Sequence, residues 1–574
     1  MPSTKTKTEP TYTSIHDIKL NPRSGKPYFN ITREWREEFI YFLLVDRFHD
    51  DAVREPTKQP GRTLGIQVPD NAFYGGTIKG IKENLDYIAG LGCTAIWLSP
   101  IFENNPNAYH GYNINNYLNV DPKFGTKDDL IKLVEAAHSH NPPIRIILDV
   151  VINHSGDNWA YPGDHPYYYD RDRQFDFGDW RREDRPIPTE LRNKNLYHRR
   201  GQIRAYDAYP ETHNGDISTL KDYHNDDSAD GSELINILIK AHCYWIREAD
   251  IDGFRIDAVK HMGALACSRF CSNIREYAYS LGKRSFFLFG ELATPDDDVY
   301  NHYLGQNTSV QDGNNTVFFG ANSLLDFRLA YNLPGVLKGF QDPKALFDRL
   351  EAQRARALNR GELGRYLVTF VDNHDSFWQP GGRFGSSAPE EQIIAAIGYL
   401  LCALGTPCIY YGTEQGFQGK GSDNQLREAM FDKASSGKNL LNPDCTLYQE
   451  IAKIAKVMRE TEALRFGRMY FRQISGDGTH FGFPYGTSYT LAFSRILYGK
   501  EVLVAYNVAD QNRKDCIIVD GAMHNEVDNM TFLIWQAHRQ HHHGETGPQR
   551  RTLCPTRPEA PTIRYLAVTG SQEG

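Results

Sequence analysis

Short apolar runs alternate with stretches of helical spacing along most of this 574-residue chain, and that alternation limits the fold more than any other feature. The runs fall at residues 39–46, 94–99, 144–151, 251–256, 285–290, 323–326, 366–371 and 407–410. Helical spacing is clearest at 77–91, where it closes at Gly92, and at 127–140, 234–248, 391–404 and 447–461. Strand–helix repetition predicts parallel strands with helices outside. Eight such units predict an α/β fold, a (β/α)8 TIM barrel, which with insertions can take up most of a chain this long.

Two regions break the alternation. Residues 155–216 are polar and rich in Tyr, Pro and Arg. Sixty residues are too many for a plain βα loop, so a small inserted domain is expected after the third strand. Beyond 465 the pattern turns to short alternating strands, such as 489–494 and 501–507, which predicts an all-β sandwich domain. The expected division is an N-terminal extension (1–35), a barrel (36–154 and 217–465), an inserted domain (155–216) and a C-terminal β domain (466–574). His538, His541, His542 and His543 sit in a polar loop and read as solvated surface rather than as a metal site.

Composition narrows the function classes. Hydrophobic content of 40% and charge of 24% describe an ordinary soluble globular chain. A net charge of −8 without a basic stripe gives no reason to expect a nucleic-acid partner. No apolar run is long enough to span a bilayer, and the first residues carry no apolar signal core. Nine cysteines without C-x-x-C spacing read as reduced thiols of a cytoplasmic protein. No Gly-rich phosphate cradle speaks for a nucleotide-dependent enzyme. The 33 tyrosines leave room for platforms that stack on sugar rings.

A barrel concentrates chemistry where its strands end. The third strand ends in Asp149-x-x-x-Asn153-His154, and the fourth in Arg255-x-Asp257. The fifth ends in Gly290-Glu291, and the seventh in Asp372-Asn-His-Asp375. Any one of these loops is ordinary solvated surface, but all four together converge acids and histidines on one rim. Arg255 and Asp257 are two apart and face the same way on an extended backbone. A carboxylate beside a guanidinium stays ionised at neutral pH, which suits a nucleophile; alone, the pair serves equally well as a structural ion pair. Glu291 ends an apolar strand, where desolvation and neighbouring carboxylates raise its pKa and keep it protonated as a general acid/base. Asp375 is a third acid, placed to stabilise an oxocarbenium-like transition state. A carboxyl pair roughly 5 Å apart supports glycosidic cleavage by the retaining route. His154 and His374 can donate hydrogen bonds to the same sugar, though either alone is more often a satisfied core or loop histidine.

The segments 149–154, 253–261, 290–291 and 371–375 resemble the four signature regions of the α-amylase family, glycoside hydrolase family 13, in the family's order and with every signature acid in place. Weaker similarity runs from about 39 to 465 through Phe73-Tyr-Gly-Gly76, Ala108-Tyr-His-Gly-Tyr112 and Tyr410-Tyr-Gly-Thr-Glu-Gln415. The resemblance implies nucleophile Asp257, acid/base Glu291 and stabiliser Asp375, with Arg255 partnering the nucleophile and Asp149 orienting the arginine. It implies that Tyr112 stacks on the sugar, and that Lys260 and His261 lie under the leaving-group side. It also implies a domain B in the insertion and a calcium ion between that domain and the barrel. The ligands would be Asn153, Asp222 and the carbonyl of His261, an oxygen set that fits calcium; the same groups also suit the capping of turns. Asn113 after Tyr112, and Tyr223 and His224 after Asp222, depart from the family's common pattern, which leaves the subfamily and the ligand at Asp222 open.

The expected activity is retaining hydrolysis of α-1,4-glucosidic bonds in starch-like glucans or malto-oligosaccharides. A transglycosylase of the glucanotransferase or cyclodextrin glucanotransferase type shares the same acids. A non-catalytic carbohydrate-binding protein would have no need of all three.

Overall fold

The computed structural model describes residues 12–69, 72–226, 228–294, 296–304, 310–312, 315–317, 320–355, 357–358, 361–376, 382–433, 438–524, 530–536 and 566–571. The histidine-rich loop at 538–543 lies outside the described residues. Eight parallel strands form the central sheet: β1 (Ile40–Leu43), β2 (Ala95–Leu98), β3 (Arg145–Val150), β4 (Gly253–Ile256), β5 (Phe287–Gly290), β6 (Ser323–Leu324), β7 (Val368–Thr369) and β8 (Thr406–Tyr410). They are hydrogen-bonded in the order β6-β5-β4-β3-β2-β1-β8-β7. A parallel bridge between Leu325 and Val368, with Asp326 N–H donating to the Val368 carbonyl at 2.9 Å, joins the two ends into a nearly closed barrel.

Every residue of β1, β2, β3, β4, β5 and β8 is buried, as expected for strands covered on both faces. Within the barrel Phe42 stacks on Trp97 with ring centroids 3.7 Å apart. Phe289 meets Trp97 edge-on at 5.4 Å, and Tyr410 lies 5.3 Å from Phe42. These rings from β1, β2, β5 and β8 form an aromatic floor, which removes water from beneath whatever the strand ends carry.

The observed bounds depart from the expected ones for local reasons. The first strand stops at Leu43, and Val45–Phe48 is helical. Asp46 turns inward there and accepts the N–H groups of Tyr74 and Gly75 at 2.8 Å. The helix expected over 77–91 starts at a Thr77 cap and is broken at Asn84 into Ile78–Glu83 and Leu85–Gly90. The Asn84 amide donates to the Gly80 carbonyl at 2.7 Å, a side-chain bond that competes with the helical ladder. The helix before β4 runs Ala229–Ala249, more than a turn longer at its start than its apolar spacing predicts. Ser228 caps it through the Gly231 N–H, and Asp250 (φ 61°) ends it in the left-handed region.

The N-terminal segment is docked rather than loose. Ile15 and Ile18 are buried, Phe29 stacks on His138 at 4.0 Å, and Arg23 pairs with Glu248. The stretch 155–216 has few aliphatic residues and builds a small aromatic core instead: Trp159 contacts Tyr161, Phe177 and Tyr197, and Tyr167 stacks on Phe175 at 4.5 Å. The C-terminal region holds a five-stranded antiparallel sheet in the order Arg468–Phe471, Thr490–Leu497, Lys500–Asn507, Leu566–Ser571, Met530–Gln536. Tyr399 of the helix Glu390–Cys402 packs against Phe493 and Tyr506 of this sheet. Cys93, Cys243, Cys267, Cys271, Cys402, Cys408 and Cys445 are buried free thiols.

At the N-terminal end of the barrel the buried Lys283 ammonium donates to Asp250 Oδ1 at 2.6 Å, Asp252 Oδ1 at 3.2 Å and the Phe29 carbonyl at 2.9 Å. Burial raises the Asp252 carboxyl's pKa, but Lys283 and His138 outweigh it and hold the group well below the usual range. A carboxyl depressed on folding contributes stability at neutral pH that is lost as pH falls toward its folded value. Removing the cation leaves buried Asp250 without its ion-pair partner and buried Asp252 with His138 alone. Lys283→Ala is therefore expected to lower unfolding free energy by about 3–5 kcal/mol in urea denaturation at pH 7; a loss below about 1 kcal/mol would contradict the assignment.

Candidate active site

In-register pairing assembles the rim of the barrel. Arg255 on β4 is opposite Asp149 on β3, and Ile256 is opposite Gly290 on β5. Asp257 and Glu291 are thus the next residues on two adjacent strands. Arg255 is 1% exposed and lies over Trp97, 5.2 Å from the ring centroid. Its Nη1 donates to Asp149 Oδ1 at 2.8 Å, Asp149 Oδ2 at 3.0 Å and Asp257 Oδ1 at 2.7 Å. Its Nη2 pairs with Glu291 Oε2 at 2.7 Å. One guanidinium therefore holds three carboxyl groups from three neighbouring strands. Asp149 Oδ2 also accepts from Trp97 Nε1 at 3.1 Å and the Tyr112 hydroxyl at 2.8 Å, so this carboxylate is held by three side chains.

Asp375 approaches from the loop after β7. The Asn373 side chain accepts its N–H at 2.8 Å, which fixes the turn. Arg427 Nη2 donates to Asp375 Oδ1 at 2.7 Å, while its Nε donates to the His374 carbonyl and its Nη1 to the Tyr109 hydroxyl, both at 3.1 Å. His374 Nε2 lies 3.1 Å from Asp375 Oδ2, and its ring stacks on Tyr112 at 5.4 Å. The side chains of Asp257, Glu291 and Asp375 are 11%, 18% and 31% exposed, whereas that of Asp149 is wholly buried. The three acids reach solvent on one rim, and the fourth is a support beneath them.

Electrostatics separate the acids. Burial pushes the Glu291 carboxyl up to about 7; Arg255 opposes this, and the charges of Asp257 and Asp375 add to it. Burial also raises Asp257, to about 6, against the pull of Arg255. A guanidinium reserved for Asp257 would have held it lower, as the sequence reading expected; here Arg255 is divided among three carboxyls, and the nearby Asp149 charge raises Asp257 further. Burial acts on Asp375 in the same direction, but His374 and Arg427 outweigh it and hold this acid below the usual range.

The remaining sequence candidates fall around this centre. Tyr112 and His374 line it, and His154 is buried beside it with Nε2 unbonded. Lys260 pairs with Asp207 of the inserted segment and donates to the Ala293 carbonyl at 3.0 Å. His261 Nδ1 bonds to the Thr212 carbonyl at 2.9 Å. Asn153 Oδ1 accepts from Asn225 at 2.8 Å, and Asp222 pairs across a short antiparallel ladder with His154. Asp222 Oδ1 is buried without a hydrogen-bond partner, next to the Asp216 charge. A second buried carboxylate and an orphaned oxygen are what a cation would satisfy, so these residues fit one. Sequence reasoning missed Arg427 and Trp97. Neither lies in a motif: Trp97 sits inside β2 and Arg427 in a distant loop, and each reaches the site only because the barrel closes.

The catalytic domain of the alpha-amylase family matches residues 42–444. An alpha-amylase of Streptomyces lividans is 29% identical over 547 residues, covering 80% of this chain and 55% of that protein. A cyclomaltodextrin glucanotransferase of Klebsiella oxytoca is 27% identical over 451 residues, covering 71% of this chain and 64% of its own length. The chain therefore spans between about half and two thirds of these relatives. Among solved structures, the alpha-amylase of Geobacillus thermoleovorans complexed with acarbose superposes with a TM-score of 0.67 at 25% identity, covering 94% of this chain and 99% of that one. With a nearly closed eight-stranded barrel, its acids gathered on one rim, and a family match over most of the chain, this protein belongs to the alpha-amylase family.

Proposed function

We propose that this protein hydrolyses α-1,4-glucosidic bonds of starch-like glucans or malto-oligosaccharides by the retaining route. The observation that carries the proposal is the shared guanidinium: Asp257 and Glu291 sit on its two terminal nitrogens, each at 2.7 Å, and are close enough to interact directly. This proximity supports the short carboxyl separation of retaining enzymes rather than the wider gap that admits a water between the groups. Glu291, with its raised pKa, donates a proton to the glycosidic oxygen as the bond breaks. Asp257, ionised above about pH 6, attacks the anomeric carbon and forms a covalent glycosyl-enzyme. Asp375, held ionised by Arg427 and His374, stabilises the oxocarbenium-like charge. Glu291 then takes a proton from the water that releases the sugar. Tyr112 offers its ring to the bound sugar, and His154 and His374 its hydroxyls a hydrogen bond; Lys260 and His261 lie toward the leaving group, beside the inserted segment.

The glucanotransferase reading differs only in the last step, where a sugar hydroxyl replaces water, and the cyclomaltodextrin glucanotransferases among the relatives support keeping it. A product time-course on maltoheptaose separates the two: shorter linear sugars alone support hydrolysis, and longer or cyclic products support transfer. The division into extension, barrel, inserted domain and C-terminal β domain is proposed with the boundaries given above. Among the described residues no helix is long and apolar enough to cross a membrane. The seven buried free thiols support a reducing, cytoplasmic working environment.

A structural calcium is part of the proposal, held by Asn153, Asp222 and the His261 carbonyl. It would supply positive charge between the inserted segment and the barrel. Ligands that bind only the folded state raise its stability, so EDTA is expected to lower the melting temperature and added calcium to restore it. An unchanged melting temperature in excess chelator would count against calcium.

Asp257→Asn and Glu291→Gln are each expected to reduce kcat by at least about 10³-fold, roughly 4 kcal/mol of transition-state stabilisation, with the circular dichroism spectrum intact. Near-normal turnover in either purified variant would refute the roles. The pH profile of kcat/KM is expected to rise as Asp257 ionises through about 6 and to fall as Glu291 loses its proton through about 7. A flat profile from pH 5 to 9 would overturn the acid/base assignment.

A further inference from the structure

Outside the carboxylate rim, His198, His224 and Asp226 bring ligand-capable atoms within 4.8 Å of one another. The three come from two parts of the chain. His198 lies on the return path of the inserted segment, and His224 and Asp226 on the approach to the helix Ala229–Ala249. Their rings are close, with the His198 and His224 centroids 4.4 Å apart.

Two further contacts make this more than a chance cluster. His198 Nδ1 is committed to Asp222 Oδ2 at 2.5 Å. His224 Nδ1 is committed to the Asn195 carbonyl at 3.3 Å. When Nδ1–H donates to an oxygen, the lone pair is left on Nε2, and this carboxylate or carbonyl support behind an imidazole is the common outer arrangement of metal-bound histidine. Asp226 is prepared in a similar way: Oδ1 accepts the Ser228 N–H at 2.8 Å, and Oδ2 accepts from His224 Nε2 at 3.0 Å, through a proton that a bound cation would displace. His198 is buried, His224 half-buried and Asp226 exposed, so the cluster is anchored at one side and open to solvent at the other.

We propose that His198, His224 and Asp226 bind a borderline divalent cation of the zinc type, through two imidazole Nε2 atoms and one carboxylate oxygen, with solvent completing the shell. Two nitrogens and one oxygen suit Zn2+ better than Ca2+ or Mg2+, which take all-oxygen shells. Ligand atoms of a tetrahedral zinc site lie about 3.4 Å apart, so closure needs only small rotations of His224 and Asp226, the two accessible side chains. The site is distinct from the proposed calcium. Asp222 would serve the two in different ways, supporting His198 through Oδ2 while Oδ1 remains for calcium. A bound cation would fasten the return of the inserted segment to the capped start of a barrel helix.

The test is a titration of the full-length chain with Zn2+ in the presence of excess Ca2+, so that oxygen-rich sites are already filled. His538, His541, His542 and His543 are replaced by Asn in the reference protein and in every variant, because that loop could itself take zinc. One equivalent of Zn2+ is expected to bind the reference protein. In His224→Ala and Asp226→Asn the affinity is expected to fall by at least the roughly 10–100-fold that loss of an outer-shell partner costs. Both variants change accessible side chains, and unaltered circular dichroism and Zn2+-free melting confirm that they fold. Co2+ in place of Zn2+ is expected to give a visible d–d band in the reference protein that both variants lose. The proposal is overturned if the reference protein binds no Zn2+, or if stoichiometry, affinity and the cobalt band are unchanged in both variants.

Discussion

A single guanidinium buried beneath the mouth of the barrel is the constraint on which the rest of the site depends. Arg255 bonds carboxyl groups from β3 and from the ends of β4 and β5 while resting on the Trp97 ring. In water such pairs would be worth little, because solvent screens them and the side chains must be ordered. Over an aromatic floor made by Phe42, Trp97, Phe289 and Tyr410 the same contacts act at low dielectric, where an unpaired charge is costly. The cation and the acids therefore hold one another in place. The strand register that sets Arg255 opposite Asp149 is what makes this possible.

The same dry floor explains why the acids differ. Asp257, Glu291 and Asp375 are chemically near-identical, yet Glu291 is lifted to about 7 while Asp375 is held below the ordinary range. What distinguishes them is the second set of partners. Asp375 has one terminal nitrogen of Arg427 and the His374 ring; Glu291 has one nitrogen of an Arg255 that also serves Asp149 and Asp257, and two neighbouring negative charges. Burial supplies the upward pressure on all three, and the allocation of cations decides which of them yields.

The inserted segment reaches the site by a different route. It lacks the aliphatic periodicity of the barrel and is held by stacked aromatic rings, by Lys221 lying over Trp159, and by polar threads to the barrel through Lys260–Asp207 and His261–Thr212. Polar anchors of this kind have no period, so nothing in the chain's pattern announces them. The N-terminal segment is similar: its opening residues read as a polar extension, whereas Ile15, Ile18 and Phe29 dock it onto the barrel's outer helices.

The eight strands and their order were legible in the sequence because burial on both faces leaves continuous apolar runs, and the candidate acids were legible because they end those runs. Helix ends were less so: the break at Asn84 and the early start at Ala229 come from side-chain hydrogen bonds that apolar spacing does not record. Acids and an arginine at the strand ends of a βα repeat follow from the residue order alone. That Arg255 is shared three ways, that Arg427 serves Asp375 from 52 residues downstream, and that Trp97 forms the floor follow from the closed barrel. Alternation and strand ends are local properties, carried by residues close together in the chain. The division of charge among buried groups depends on distances between remote segments, and those exist only once the barrel has closed.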